Sequence, residues 1–178
     1  YHGANTAAPA TDYLVLNTDA ATADSAAYWA DTAPTSSVFT VHDDHSVNAD
    51  GEAYIAYVFA EVEGYSKMGS YIAASGSGST PNNDGVFVHM GFRPAWVMFK
   101  YIGQGQWNIH DRIRSPANPM KNFLLPATNG TEVTSEAIEF VANGVKMRSA
   151  SGYFDDPAAG SFIYMAFAET PFKYSNAR

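Results

Sequence analysis

Two carboxylic acids stand two positions apart, at Glu61 and Glu63. Alternate residues of a β-strand share one face, so this spacing places the carboxyl groups about 7 Å apart along a strand. Retaining glycosidases use two carboxyl groups that lie about 5–5.5 Å apart. The pair is therefore a candidate for glycan hydrolysis. The alternative is that Glu61 only marks a strand end, because a similar segment near the C-terminus continues as Glu169-Thr170-Pro171 with no second acid. We favour that alternative and expect no enzyme.

A second polar cluster could ligate a metal ion through residues that follow each other directly: His42, Asp43, Asp44 and His45. Adjacent residues of a strand point to opposite faces, so all four cannot face one ion there. A loop could gather two or three of them, with calcium preferring the oxygens and zinc the imidazoles. A polar turn between two strands explains the same residues without a metal, and we expect no metal site here.

The polar turn at residues 82–85 reads Asn-Asn-Asp-Gly, which could offer oxygen ligands to Ca²⁺. It lacks the full spacing of a calcium loop and equally suits a flexible surface turn. A structural calcium ion is therefore an alternative to the expectation that the protein needs no cofactor.

Aromatic side chains beside turns are the stronger binding signal. Sugar rings stack on exposed aromatic faces, and their hydroxyl groups need polar partners. The candidates for glycan binding are Trp107 with the nearby Asp111, Trp29 and Tyr65. The alternative is that these rings fill the protein interior.

Composition excludes several classes of function. The chain has 178 residues, 46% hydrophobic and 16% charged, which argues for a folded domain rather than disorder. Its net charge of −8 disfavours binding to nucleic acid or to anionic membranes. Cysteine is absent, which excludes disulfides, thiolate metal sites and a cysteine nucleophile. No apolar run approaches the roughly 18 residues that a membrane span needs.

The same composition predicts an all-β fold, a jelly-roll-like antiparallel sandwich. Aromatic residues make up 14% of the chain, and 14 glycines and 9 prolines punctuate it. The chief predicted strands are residues 37–41, 53–60, 95–101 and 162–168. Residues 53–60 are apolar on both faces, which is typical of a central strand. The dipeptide Asn143-Gly144 predicts a hairpin with a type I′ turn.

An internal repeat suggests two related units. Residues 54–61 read YIAYVFAE and residues 162–169 read FIYMAFAE, at an offset of 108. We therefore predict an incomplete first β-unit at residues 1–72, a low-complexity loop with a connecting strand at 73–90, and a second β-unit at 91–178. The second unit has strands before its match point and the first has none, so we expect that sequence precedes Tyr1.

Three stretches resemble structural proteins of tailed bacteriophages, especially marine ones. They read VEGYSKMGSY at residues 62–71, GFRPAWVMFK at 91–100 and YMAFAETPFKYSNAR at 164–178. The resemblance covers nearly the whole chain. It implies a concanavalin A-like jelly roll in a tail fibre, spike or other virion appendage. It brings no family catalytic residues with it.

The resulting expectation is a virion protein whose loops contribute to attachment to host-surface glycans. Its partners would be other copies of itself, in a homo-oligomer, and other virion proteins. Repeated copies on an appendage would raise the effective affinity by about 10²–10⁴-fold. Two alternatives stay open: a purely architectural capsid-decoration or adaptor protein, and a glycan depolymerase that uses Glu61 and Glu63.

Overall fold

The computed structural model describes residues 1–73, 85–148, 153 and 160–170. Its elements, in chain order, are β1 (Asp12–Tyr13), β2 (Ala23–Asp24), α1 (Ala26–Trp29), α2 (His45–Asn48), β3 (Ser66–Ile72), β4 (Phe87–His89), β5 (Pro94–Tyr101), β6 (Trp107–Asp111), β7 (Met120–Phe123), β8 (Val133–Val141), β9 (Gly144–Met147) and β10 (Ser161–Ala168). In this part of the chain no helix is long and apolar enough to span a bilayer.

Two antiparallel four-stranded sheets form the body of the molecule. Sheet I has the order β3-β10-β5-β6, and sheet II has the order β4-β9-β8-β7. The apolar core between them consists of alternate side chains of both sheets, among them Val97, Phe99, Phe140, Val145 and Phe162, none more than 1% exposed. This alternation of inward and outward residues is what a sandwich requires. The predicted all-β, jelly-roll-like sandwich is confirmed.

The two long sides of the sandwich differ. On one side an isolated β-bridge joins Ile109 of β6 to Leu124, the residue after β7, and ties the two sheets together. On the other side lie β3 and β4, the remaining edge strands of the two sheets. On its outer edge, an edge strand has amide and carbonyl groups that form no hydrogen bonds with a neighbouring strand. This second side, called here the open side, is where a cleft forms.

The N-terminal segment covers part of the outer face of sheet I. The indole of Trp107 donates a hydrogen bond to the Val15 carbonyl (3.1 Å), and the Thr22 amide donates to the Ile102 carbonyl (2.7 Å). Under this cover Lys100 is fully buried, and its ammonium donates to the Gly103 carbonyl (2.9 Å). Burial lowers the pKa of Lys100 to about 8.

Two of the predicted strands are wrong. Residues 37–41 and 53–60 form neither strand nor helix, and their large apolar side chains are exposed. Apolar side chains allow both faces of a strand to be buried, but a strand also needs a neighbouring strand that forms hydrogen bonds with its main-chain groups. Within the described residues these segments have no such neighbour.

The predicted hairpin is confirmed, but its turn is displaced by one residue. Val141 of β8 pairs with Gly144 of β9, so the two loop residues are Ala142 and Asn143. Asn143 lacks the positive φ that the predicted type I′ turn demands. The glycine serves another purpose: a Cβ at position 144 would collide with the Val88 carbonyl oxygen of β4.

The predicted division into two units stays a prediction. Strand β3 lies within the predicted first unit and pairs along its length with β10 of the second. Both units therefore contribute to one sheet. Of the predicted connecting region, β4 is present, while residues 74–84 lie outside the described part of the chain.

Candidate functional site

A cleft of about 560 Å³ lies on the open side, between the start of β3 and the end of β4. One wall comes from the turn before β3 and from the first residues of that strand. The other wall comes from the end of β4 and the residues that follow it. The lining residues are Glu61, Val62, Glu63, Gly64, Ser66, Lys67, His89, Met90, Gly91, Phe92 and Thr170. Four of them carry ionisable side chains, namely Glu61, Glu63, Lys67 and His89.

A tight turn builds the first wall. The amide of Ser66 donates to the Val62 carbonyl (2.9 Å) and the amide of Val62 to the Ser66 carbonyl (3.2 Å), while the Ser66 hydroxyl donates to the Ala60 carbonyl (2.7 Å). Gly64 has a φ of 72°, a left-handed conformation that favours glycine. Glu61 and Glu63 do not lie on a strand, as their spacing was taken to imply, but this turn still places both at one cleft.

Glu61 is anchored at both carboxylate oxygens. Its Oε2 pairs with the Lys67 ammonium (3.0 Å), and its Oε1 accepts a hydrogen bond from the Met68 amide (3.2 Å). The carboxylate thus closes the first part of the β3 edge, where a further strand would otherwise pair. Glu61 does not mark a strand end, because residues 53–60 before it form no strand; its contacts give it a structural role instead.

The second wall is rigid. Met90 and Phe92 are buried, and the amides of Met90 and Gly91 both donate to the Asn143 carbonyl (2.9 and 3.2 Å). Gly91 has a φ of 82°, which turns the chain from β4 toward β5. The imidazole of His89 therefore projects from a fixed backbone.

An aromatic cluster adjoins the first wall. The ring centroid of Phe167 in β10 lies 5.9 Å from that of Tyr65, 5.8 Å from that of Phe59 and 5.7 Å from that of Trp96. Tyr65 is 40% exposed. Sequence reasoning selected Tyr65 but missed the other three rings. Trp96 lies in the motif at residues 91–100, and this motif was the signal available for it.

A network of ion pairs lies next to Thr170. The carboxylate of Glu169 bridges the Arg93 and Arg112 guanidinium groups, at 3.1 and 3.0 Å. The Glu169 amide also donates to the Arg93 carbonyl (2.8 Å). These contacts fix the end of β10 against the start of β5. They supply cationic groups near the end of the cleft that Thr170 lines.

Two predicted glycan-binding residues lie away from the cleft. Trp107 is 8% exposed, with its indole bonded to Val15, so its ring fills the interior beneath the N-terminal segment. Asp111 accepts hydrogen bonds from the main-chain amide (2.7 Å) and the side chain (3.1 Å) of Arg114. Both placements fit the structural alternative for these residues.

Trp29 also lies outside the lining of the cleft. It is partly buried, its indole donates to the Asp12 carbonyl (3.0 Å), and it meets Tyr1 edge to face at 6.2 Å. Its neighbour Tyr28 stacks on Tyr13 at 3.8 Å. These rings hold the N-terminal segment together.

The predicted metal candidates do not converge. The Asp44 carboxylate caps helix α2 by accepting from the Ser46 amide (2.8 Å), and His42 contacts Asp43 (2.9 Å). The His45 side chain is 89% exposed. No group of three metal-ligating side chains occurs among the described residues. Of the predicted calcium turn, residues 82–84 lie outside the described part, and the Gly85 carbonyl accepts a hydrogen bond from Lys146 (2.6 Å).

Comparison with known families finds a match over residues 1–171 to a domain of unknown function, DUF7483. The chain belongs to the DUF7483 family. The matched range contains both sheets, the cleft and the aromatic cluster of this DUF7483 domain. No curated protein and no solved structure matches the chain.

Proposed function

We propose that this DUF7483 domain is a structural module of a bacteriophage virion, of the tail-fibre or spike type, whose cleft contributes to attachment to host-surface glycans. One observation carries the proposal. The three stretches that resemble phage proteins lie far apart in the chain, yet each contributes residues to the cleft. The first stretch contributes Val62, Glu63, Gly64, Ser66 and Lys67, the second contributes Gly91 and Phe92, and the third contributes Thr170.

The chemistry of the cleft suits a carbohydrate. Carboxylates such as that of Glu63 accept hydrogen bonds from neighbouring sugar hydroxyls, and His89 and Lys67 donate them. The exposed ring of Tyr65 offers an apolar face beside these polar groups. An open cleft between two sheet edges also accommodates a chain that continues on both sides of the bound residue.

A glycan-binding measurement tests the proposal. The purified chain is applied to an array of bacterial surface oligosaccharides, and any hit is quantified by titration. We expect Tyr65→Ala and Glu63→Gln each to weaken binding by about tenfold, which corresponds to about 1.4 kcal/mol. Phe39→Ala and Glu52→Gln are the matched controls, because both residues are exposed and neither lines the cleft. Equal losses in the controls, or no glycan bound by the wild type, would contradict the proposal.

The depolymerase alternative is favoured by a specific observation, since Glu61 and Glu63 line one cleft. It predicts that the bound glycan is shortened over time and that Glu63→Gln stops this cleavage. Chromatography of the glycan after incubation distinguishes the two functions: an unchanged chain length supports attachment, and shortening supports hydrolysis.

The architectural alternative is tested on the particle itself. Electron cryomicroscopy of the virion, with this chain located by its two-sheet density, shows which surface the open side faces. A fibre or spike position with the cleft directed outward supports attachment. A capsid position, or a cleft buried against neighbouring subunits, supports a purely architectural role.

A further inference from the structure

Residues 53–60 expose more apolar surface than any other part of the described structure. Ile55 is 81% exposed, Tyr57 80% and Val58 73%, and Phe59 and Tyr54 are about half exposed. The segment forms neither helix nor strand. Within the described residues, none of its amides donates a hydrogen bond to another main-chain group. The segment thus combines amides that lack main-chain partners with large apolar side chains.

Such a segment is incomplete as a monomer surface. Soluble monomers rarely expose contiguous apolar patches of more than a few hundred Å². A stretch that is apolar on both faces is normally a strand with both faces covered. Two requirements follow for whatever covers it: main-chain partners for its amides and carbonyls, and apolar surface for its side chains.

The fold already contains a strand that accepts a sequence of this kind. Residues 54–61 share four of eight positions with residues 162–169, namely Ile55, Phe59, Ala60 and Glu61 with Ile163, Phe167, Ala168 and Glu169. Residues 161–167 pair with β3 throughout, in antiparallel orientation. Strand β3 is therefore a surface on which this sequence pattern forms a sheet.

Strand β3 has a second edge that the described residues leave partly open. On that edge the Ser66 amide donates to Val62 and the Met68 amide to the Glu61 carboxylate. Amides on one edge of a strand recur at every second residue, so Ser70 and Ile72 come next. No described strand pairs with them on that edge, and Ile72 is 65% exposed.

The same contacts direct residues 53–60 away from their own sheet. The bridge between Val62 and Ser66 would continue in a hairpin by pairing Ala60 with Met68. The Glu61 carboxylate occupies the Met68 amide instead, so the chain leaves the sheet at this point. The β3 edge of a second copy is not joined to residues 53–60 by this short turn, so the turn does not prevent the two from pairing.

We propose that residues 53–60 of one copy add as a fifth antiparallel strand to the β3 edge of a second copy, in a reciprocal two-fold dimer. The incoming strand forms main-chain hydrogen bonds with Ser70 and Ile72. One of its carbonyls replaces the Glu61 carboxylate as the acceptor for the Met68 amide. Two-fold symmetry makes the exchange self-complementary, since each copy donates a segment and offers an edge. The dimer uses the β3 edge next to the cleft and displaces the carboxylate of Glu61, which lines the cleft, but it does not require a bound glycan.

Sedimentation velocity over a hundredfold range of protein concentration tests this dimer. We expect the wild type to dimerise and Ile55→Asp to weaken the dimer at least tenfold. Ile113→Asp is the matched control, because Ile113 is equally exposed, at 81%, and lies outside the segment. Tyr57→Asp repeats the test at a second position. Circular dichroism verifies that each variant is folded.

Hydrogen exchange identifies the edge that is used. In the dimer, the amides of residues 53–60, Ser70 and Ile72 become protected as the concentration rises, and Ile55→Asp removes this protection. A wild type that stays monomeric throughout, or a dimer that Ile55→Asp and Tyr57→Asp leave intact, overturns the proposal. Protection of residues 53–60 that is independent of concentration also overturns it, because it indicates pairing within one copy.

Discussion

Two segments of similar sequence, residues 54–61 and residues 162–169, occupy opposite environments in this molecule. In β10, Phe162 and Ala166 are fully buried and Ile163 is 2% exposed, between the neighbouring strands β3 and β5. In residues 54–61 the matching isoleucine, Ile55, is 81% exposed. An apolar pattern on both faces therefore indicates that a segment is to be buried. It does not indicate which part of the protein, or of another copy, buries it.

The largest expected effect comes from truncating Ile163, and the matched Ile55 serves as its comparison. Ile163→Ala removes buried methyl groups and leaves a cavity, so we expect the free energy of unfolding to fall by about 2–5 kcal/mol. Ile55→Ala changes an exposed side chain, and we expect a change within about 0.5 kcal/mol. Urea denaturation at a concentration where the chain is monomeric measures both. Similar losses at the two positions would mean that residues 53–60 are buried within their own copy.

A pH experiment compares a histidine of the sandwich with one of the irregular N-terminal half. Burial lowers the pKa of His110 to about 3, below the ordinary value of about 6.5. Between these values the unfolded chain binds a proton that the folded chain excludes, so stability falls as the pH falls. The slope is about 1.4 kcal/mol per pH unit, or about 2–3 kcal/mol between pH 6 and pH 4.

The variants separate this contribution from that of the carboxylates. His110→Gln is expected to flatten the fall in stability over that pH range, whatever its stability at neutral pH. His45→Gln, at a side chain that is 89% exposed, is expected to leave the profile unchanged. Thermal unfolding at each pH is the measurement. A wild-type slope retained in His110→Gln would show that other groups cause the acid sensitivity.

The smallest effect concerns the matched glutamates. Glu169 bridges two arginines and is 26% exposed, while Glu61 pairs with one lysine and is 46% exposed. We expect Glu169→Gln to cost about 1 kcal/mol and Glu61→Gln less than about 0.5 kcal/mol, because exposed ion pairs are screened by solvent. Measuring both in low and high salt checks the origin of the difference. The loss at Glu169 should shrink with salt, and a loss that salt leaves unchanged would point to packing instead.

Sequence reasoning located correctly one hairpin whose strands are close in the chain, and two strongly apolar strands, although the same apolar pattern failed at residues 53–60. The hairpin of β8 and β9 follows from two apolar runs around a short turn, although the turn residues were displaced by one. Strands β5 and β10 have the strong apolar character of central strands. The all-β class needed only these local features.

The candidate site was predictable only in part. Glu61 and Glu63 were selected for their spacing and Tyr65 as an aromatic residue beside a turn; both glutamates line the cleft, and Tyr65 lies in the turn that carries Glu63. His89 and Thr170 were missed, because the cleft exists only where two edge strands from different sheets come side by side. For Trp107 the sequence left both a glycan-binding and an interior position open, and only the structure decided between them: a carbonyl 92 residues earlier accepts its hydrogen bond and the N-terminal segment covers its ring.

The amino-acid sequence by itself determined that this protein is a β-sandwich, which segments have an apolar face, and that two acidic residues stand two positions apart. These are local properties, set by side-chain alternation and by the residues that permit turns. Only the tertiary structure decided that β10 is buried while residues 53–60 are exposed, and that the cleft forms between β3 and β4. Burial and main-chain pairing depend on partners distant in the chain, and a pattern within one segment contains no information about them.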